Sequence, residues 1–332
     1  MNKLSRLIVA TIVMVVSTIT TLITPAYAAT KTNTSITSNG NGYRITPVRT
    51  DLTINQGQTK NVTVMLTNIS TSPENLQVVV DDFQAKDETG IPALILSGQS
   101  LPRHGLKKFT QVEPTKVSLN PGETKTVLAN IAIPENAVPG GYYGAVRFTP
   151  VDANGNKNVN LAASVGSLIL VKVPGNINEN LSVVDFGASH GTNPQSLFFN
   201  NKNIQAIVRL RNNGDIQESP FGKIQLKKGS TVLASYEINN TDPRGNVLPD
   251  SIRRFTVKMD KVGSFGKFTL EGNFGYGSNG QLISTSSTFY VIPLGILFLA
   301  LLLLLLIIAA IILIPRAVRR HDRRILRRAK RR

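Results

Sequence analysis

No cysteine occurs anywhere in the 332 residues, and no tryptophan; histidine occurs three times. The first absence excludes a disulfide framework and thiolate chemistry, so whatever folds here is held by apolar cores alone. With His104, His190 and His321 as the only imidazoles, a zinc centre would need carboxylates that the sequence does not cluster. Acids are also scarce, 20 Asp and Glu against 37 Lys and Arg, for a formal net charge of +17. A charge of that size suits a nucleic-acid binder until it is divided along the chain. Ten basic residues and one acid from Arg316 to Arg332 carry +9 of it, Lys3 and Arg6 carry +2, and +6 is left for everything between. Nucleic acid is therefore not an expected partner. The remainder suits an anionic surface, and the tail suits anionic lipid headgroups at about 1 kcal/mol per residue.

Leu294 to Ile314 is a run with no charge at all, and the basic end follows it directly. A helix needs roughly 20 apolar residues to cross the hydrocarbon core, so this run reads as a transmembrane segment, residues 292–314, contacting membrane lipids. The basic tail at 315–332 places the carboxyl terminus in the cytoplasm. Its arginines, at Arg316, Arg319-Arg320, Arg323-Arg324 and Arg327-Arg328, would form a basic stripe on a helix lying along the inner leaflet. At the other end, Lys3 and Arg6, the apolar Leu7 to Ile23 and the small residues Ala26-Tyr27-Ala28 read as a signal peptide, residues 1–28, cleaved after Ala28. The expected product is a single-pass cell-membrane protein with its amino terminus and bulk outside.

Between these ends the sequence reads as strands and turns. Residues 29–42, rich in Thr, Ser and Asn, form a flexible leader. Val62, Val64 and Leu66 alternate after the turn Asn55-Gln56-Gly57-Gln58; Val127, Ala129, Ile131 and Ile133 alternate after Asn120-Pro121-Gly122-Glu123. Asp152 to Asn156 reads as a hairpin tip joining Tyr142–Phe148 to Val165–Val173. The same pattern resumes after Pro174-Gly175-Asn176, with strands expected at Leu181–Phe186, Ile204–Arg211, Lys223–Lys227, Val232–Ile238, Ser251–Met259, Gly266–Phe274 and Ser284–Val291. The fold class is all-β: two tandem immunoglobulin-like antiparallel β-sandwiches, 43–174 and 175–291, plus one C-terminal transmembrane α-helix.

Fragments that hint at chemistry weaken on inspection. Gly187-Ala188-Ser189-His190-Gly191 matches the nucleophile elbow, but Asn193-Pro194 follows where a helix is required, so a loop between strands is expected. Ser264-Phe265-Gly266-Lys267 matches S-x-x-K, but its glycines break helices and a hairpin turn is expected. Asp152, Asn154 and Asn156 have the spacing that opens a calcium loop, with Lys157 where Gly is needed. Asp81-Asp82 reads as a strand end as readily as a carboxylate pair. Leu101-Pro102-Arg103-His104-Gly105 is close to a wall-sorting signal but has His in place of Thr. Of Tyr142 and Tyr143, adjacent on a strand, one is expected in a core and the other facing out, with core packing the better account of the pair. The sequons at Asn61, Asn68, Asn180 and Asn239 carry little weight where Asn and Thr abound. No catalytic residue, metal ligand or cofactor is assigned, no enzyme is expected, and the binding residues are unknown at this level.

The order of signal peptide, a sandwich with an Asn-Pro-Gly-Glu turn and the segment Ile131 to Gly144, a second sandwich, one membrane helix and a basic tail resembles the WxL-interacting proteins of Gram-positive cell surfaces. That resemblance implies an extracellular adaptor contacting peptidoglycan with one domain and WxL-type or other surface proteins with the other. Two further readings stand beside it. One is a scaffold subunit acting through its helix and Arg-rich tail; the other is a secretion-linked chaperone that adds an edge strand to exported chains.

Overall fold

The computed structural model describes residues 42–96, 103–151 and 165–329. The signal peptide, nearly all of the leader, the hairpin tip at 152–156 and Leu101-Pro102 lie outside the described residues.

Strands β1 (Tyr43–Thr46), β2 (Arg49–Thr53), β3 (Thr59–Asn68), β4 (Glu74–Ala85), β5 (Pro92–Ile95), β6 (Thr110–Glu113), β7 (Lys116–Leu119), β8 (Thr124–Ala132), β9 (Gly140–Pro150) and β10 (Val165–Val173) build the first sandwich. One sheet runs β1-β3-β8-β6; the other runs β2-β10-β9-β4-β5, with β7 also on β4. The period-two pattern sets the facing: Val62, Val64 and Leu66 on β3 and Val127, Ala129 and Ile131 on β8 are all buried, while Thr63, Met65 and Leu128 face out. These residues meet Val78, Phe148, Ile169 and Val171 from the second sheet in one core.

The second sandwich consists of β11 (Leu181–Ser189), β12 (Leu197–Phe198), β13 (Gln205–Asn212), β14 (Phe221–Lys228), β15 (Thr231–Ile238), β16 (Ile252–Lys258), β17 (Gly266–Tyr276) and β18 (Gln281–Val291). Its sheets run β11-β13-β16 and β12-β18-β17-β14-β15. Phe198 and Phe268 both pack on Phe289, edge-on at 5.5 Å and stacked at 5.4 Å, at the centre of its core.

The two sandwiches share two devices. In each, the opening stretch divides between sheets: β1 and β11 pair antiparallel with β3 and β13, whereas β2 and β12 pair parallel with the last strands, β10 and β18. The outer edge of each last strand is thereby occupied, which covers backbone groups that would otherwise template another chain. The second device is a fully buried asparagine at the end of the equivalent strand. Asn68 Nδ2 donates to the carbonyls of Ser72 and Leu119 and its Oδ1 accepts from Ser70 N–H. Asn212 Nδ2 donates to the carbonyls of Ile216 and Val247 and its Oδ1 accepts from Gly214 N–H. Asn68 is thus a structural side chain, closed to modification in the folded chain.

Two expectations about connections need correction. Ser264 to Lys267 is not a hairpin turn: it is the end of the β16–β17 connection and the start of β17, and these two strands belong to opposite sheets, so the chain crosses the core's end there. Gly187-Ala188-Ser189 is not loop either but the end of β11, with Ser189 buried and its Oγ accepting from Gly191 N–H at 2.8 Å. Both misreadings come from glycine, which marks a break locally but is tolerated where a neighbour approaches closely. The chain ends in α1 (Leu294–Ala329). Residues Leu294–Arg316 are long and apolar enough to cross a membrane, with a mean hydropathy of 3.6 and no burial against the rest of the chain.

Candidate functional site

The outward face of the β2-β10-β9-β4-β5 sheet is not left to solvent. Residues Gly140 to Val146 of β9 are buried on both faces, because the second sandwich and the segment around a 3₁₀ turn (Lys107–Phe109) cover the outer one. Tyr142 points into the first core, where its hydroxyl donates to the Val138 carbonyl at 2.9 Å. Tyr143 points the other way and is equally buried. It joins Phe83, Ala145 and Leu170 in a separate cluster against Leu248 of the second sandwich, and its hydroxyl donates to Gln217 Oε1 at 2.9 Å. Neither tyrosine is presented outward.

Polar contacts lock the same interface. Gly141 N–H donates to the Asp215 carbonyl at 2.8 Å, and Arg49 donates to the Arg244 carbonyl at 2.8 Å and to Asn246 Oδ1 at 3.3 Å. The tip of the β4–β5 hairpin, Asp87-Glu88-Thr89-Gly90, reaches across to β16: Arg254 N–H donates to the Glu88 carbonyl at 2.7 Å. The Glu88 carboxylate also accepts from Arg209 Nε at 2.7 Å, and Arg209 bonds Asp185 at 2.8 Å. These carboxylates raise the Arg209 guanidinium above its ordinary range, the Glu88 hydrogen bond most. Replacing Glu88 by Ala removes the cross-domain half of this contact while leaving Arg209 paired with Asp185. The Arg254 amide is then expected to exchange its hydrogen about tenfold faster, the scale of a local opening made about 1.4 kcal/mol easier; unchanged exchange would show that the latch contributes nothing.

Between the latch and the Arg49 contacts the interface gapes into a cleft of about 270 Å³. Phe83, Leu168, Leu170 and Leu248 give it an apolar floor, and Arg49, Arg244, Asn246 and Arg253 line its polar side. The arginines differ. Arg49 is neutralised by a two-pronged contact with Asp51, 2.7 and 3.0 Å, and Arg244 lies over the Phe221 ring at 4.2 Å. Half-buried Arg253 has no carboxylate partner among the described residues; one Nη donates to the Asn246 carbonyl at 2.7 Å. A Cβ on Gly90 or Gly245 would lie within 2.3 Å or 2.5 Å of that guanidinium, so the side chain sits in a slot walled by glycine from each sandwich. Burial, and then the charge of Arg49, lowers its pKa. Asn246 is buried; its Oδ1 accepts from Ser219 Oγ at 2.5 Å and from Arg49, and its Nδ2 has no partner.

The residues singled out from the sequence are scattered. Asp81 accepts from Arg147 Nε at 2.6 Å and lies 3.7 Å from Lys107, while Asp82 accepts from Lys107 N–H at 2.7 Å. The pair anchors the 3₁₀ segment, and both residues are buried. His104 is buried edge-on against Tyr142 and His190 packs on Phe198. No group of three or more His, Cys, Asp and Glu suited to a metal occurs among the described residues. The cleft residues Asn246 and Arg253 carried no signal in the sequence. They are single polar residues in turn-rich stretches, and only the apposition of two domains gives them a common cavity.

No family model matches the chain, and no curated protein is similar to it. The similar solved structures include a chaperone–tip adhesin complex of CFA/I fimbriae biogenesis (15% identity over 76% of this chain and 99% of that one, TM-score 0.36) and the class 5 fimbriae chaperone CfaA (14%, 76% and 100%, 0.35). A third is the CsuC–CsuE chaperone–tip subunit pre-assembly complex of Acinetobacter baumannii (15%, 73% and 97%, 0.33). With TM-scores below 0.5, none of them fixes what this chain binds. They do correct the resemblance to WxL-interacting proteins: these similar structures come from fimbrial chaperones and their complexes. The physical reason lies in the motifs. Asn120 to Glu123 is a tight turn with Gly122 at φ +77°, and Pro139-Gly140-Gly141 is the entry to β9, both demanded by a sandwich whatever it binds.

Proposed function

We propose that this chain is a membrane-anchored, non-enzymatic binding protein on the outer side of a cell membrane, which holds an exported or surface polypeptide in the cleft between its sandwiches. Of the readings that the sequence left open, this is nearest to the secretion-linked chaperone. The observation that carries it is the cleft itself, a preformed hollow with an apolar floor and an unpaired guanidinium, shaped by residues of both domains. A hollow with a few convergent polar groups in an apolar setting is the form in which binding sites are usually built. The terminal helix supports the anchoring. Strand addition at β10 or β18 has less support, since β2 and β12 already pair along them; β15, bonded on one side only, is the longer open edge of its sheet.

A photo-crosslinking residue in place of Ile252, at the cleft, and in place of Met65, on the outer face of β3, tests this in living cells. Protein adducts are expected from position 252 and not from 65. No adducts at 252, or equal yields at both, would overturn the assignment. Adducts confined to a third probe at Leu233 on β15 would move the function to strand addition.

A further inference from the structure

The chain leaves the second sandwich with almost no slack. Tyr290 N–H donates to the Ser196 carbonyl and Ile292 N–H to the Phe198 carbonyl, both at 2.8 Å, so β12 clamps the chain as far as Ile292. Only Pro293 then precedes α1, and its carbonyl already accepts from Ile296 N–H at 2.9 Å. Two residues span at most about 7 Å. From Leu294 to Ile314 the helix is about 32 Å long at about 1.5 Å per residue, and a hydrocarbon core of about 30 Å uses nearly all of it. The end of the sandwich from which α1 leaves therefore falls within the headgroup layer, about 5–8 Å deep on each side of that core.

The residues at that end suit such a layer. Phe199, just after β12, and Phe265, just before β17, flank the end of β18 and are 46% and 52% exposed. Leu197, Tyr290 and Lys267 are exposed side by side, in register across β12, β18 and β17. Exposed Lys202, Lys228, Lys258 and Lys261 lie in or beside the connections that close the same end. Lys202, Lys258 and Lys267 have no carboxylate partner among the described residues, and Lys228 donates only to the Phe265 carbonyl at 3.2 Å. Asp260, 3.4 Å from Lys261, is the one acid in these connections. Aromatic rings at headgroup depth, with lysines reaching the phosphates around them, are the pattern of an interfacial surface.

We propose that this end of the second sandwich is a lipid-docking face: Phe199 and Phe265 enter the headgroup layer of the bilayer that α1 crosses, and the lysines contact its anionic phospholipids. The inference rests on α1 spanning the membrane, and it adds a second contact that fixes how the body stands. Because β16 runs from the cleft at Ile252 to this face at Lys258, docking holds the cleft at the end of the sandwich away from the lipid.

The absence of tryptophan makes the test direct, since one introduced indole is the only one in the chain. The full chain carrying Phe265→Trp is reconstituted into vesicles of phosphatidylcholine and phosphatidylglycerol whose acyl chains are brominated near the headgroup. Leu282→Trp, on an exposed residue at the other end of β18, serves as the reference. Bromine is expected to quench the indole at position 265 and not at 282. No quenching at 265, or equal quenching at both, would overturn the proposal, and so would blue-shifted emission at 265 without quenching, which places a second copy over the face. A flexible Gly-Ser spacer inserted after Pro293 then separates the affinity of the face from the shortness of the tether. Quenching at 265 should survive the spacer, and its loss there would overturn the proposal. In the spacer chain, Lys202→Gln, Lys261→Gln and Lys267→Gln together should lower docking roughly a hundredfold, at about fivefold for each lysine; an undiminished signal would reject the lysine contacts. These three side chains are exposed, and an unchanged melting curve by circular dichroism confirms that the variant folds. Release of the chain from the vesicles by alkaline carbonate would reject the membrane anchor itself, whereas a chain that stays bound without quenching rejects the docking face alone.

Discussion

Replacing Asn212 by Asp is expected to cost the second sandwich more stability than replacing it by Ala, although Asp is closer in shape. Asn212 is completely buried and all three of its available bonds are made. Alanine leaves the Ile216 carbonyl and the Gly214 amide without partners and the Val247 carbonyl with the Glu218 N–H alone, at about 2–3 kcal/mol in total. Aspartate keeps the acceptor for Gly214 but sets a carboxylate oxygen against two carbonyl oxygens. It must either stay charged in an apolar site or take up a proton, and the expected loss is about 4–5 kcal/mol at neutral pH. The Asp penalty should shrink as pH falls, since a protonated carboxyl can donate to one carbonyl, whereas the Ala penalty should not. Urea unfolding followed by circular dichroism at pH 4.5 and pH 7.5 measures both. An Asp variant no weaker than the Ala variant at pH 7.5 would show that the corner does not depend on the amide donor. The same ranking is expected at Asn68, which holds the equivalent corner of the first sandwich.

Glu218→Gln, in contrast, is expected to stabilise the chain above neutrality. Glu218 is buried, with Oε2 accepting from Gly277 N–H at 3.0 Å and Oε1 without a partner. Burial first, and the charge of Glu179 second, push its pKa up to about 7, against the Gly277 hydrogen bond and Lys172. A carboxyl whose folded pKa lies above its unfolded value holds its proton more tightly when folded. Its burial is therefore least costly below about pH 4.5, and stability falls as pH rises through 7. The full cost is about 3 kcal/mol, from 1.36 kcal/mol per pKa unit. Glutamine keeps the acceptor for Gly277 and removes the charge, so the variant should gain about 2–3 kcal/mol at pH 8.5 and almost nothing at pH 4.5. A gain of equal size at both values, or none at pH 8.5, would exclude ionisation of Glu218 as the cause. His104 acts in the opposite sense. Burial, and then Arg103, lower its pKa, so its contribution is present above about pH 6.5 and is lost as pH falls below that value.

Much of the strand order is legible because period-two alternation and turn chemistry are local. Val127, Ala129 and Ile131 announce the buried face of β8, and the seven strands expected after Pro174 correspond to β11 and β13 to β18. The strands that escape notice are those whose length or burial breaks the pattern. β12 has only two residues, and β5 and β6 have four each, too short to show a period. The Asn68 and Asn212 corners escape as well, because a turn-forming asparagine and a fully bonded buried one look alike in a sequence.

Sequence alone settled the class of the chain: an all-β body built from two sandwiches, followed by one apolar helix and a basic end. Those features follow from hydrophobic period, run length and charge placement, which are properties of neighbouring residues. What the tertiary structure decided is where the outer face of the first sandwich goes. Which of Tyr142 and Tyr143 faces out, and what covers that face, stays open until the second sandwich is laid over Tyr143, and Arg253 and Asn246 read as ordinary turn and strand residues until Gly90 closes the far wall. A cleft between domains is made by residues more than a hundred positions apart, and no local pattern records which faces will meet.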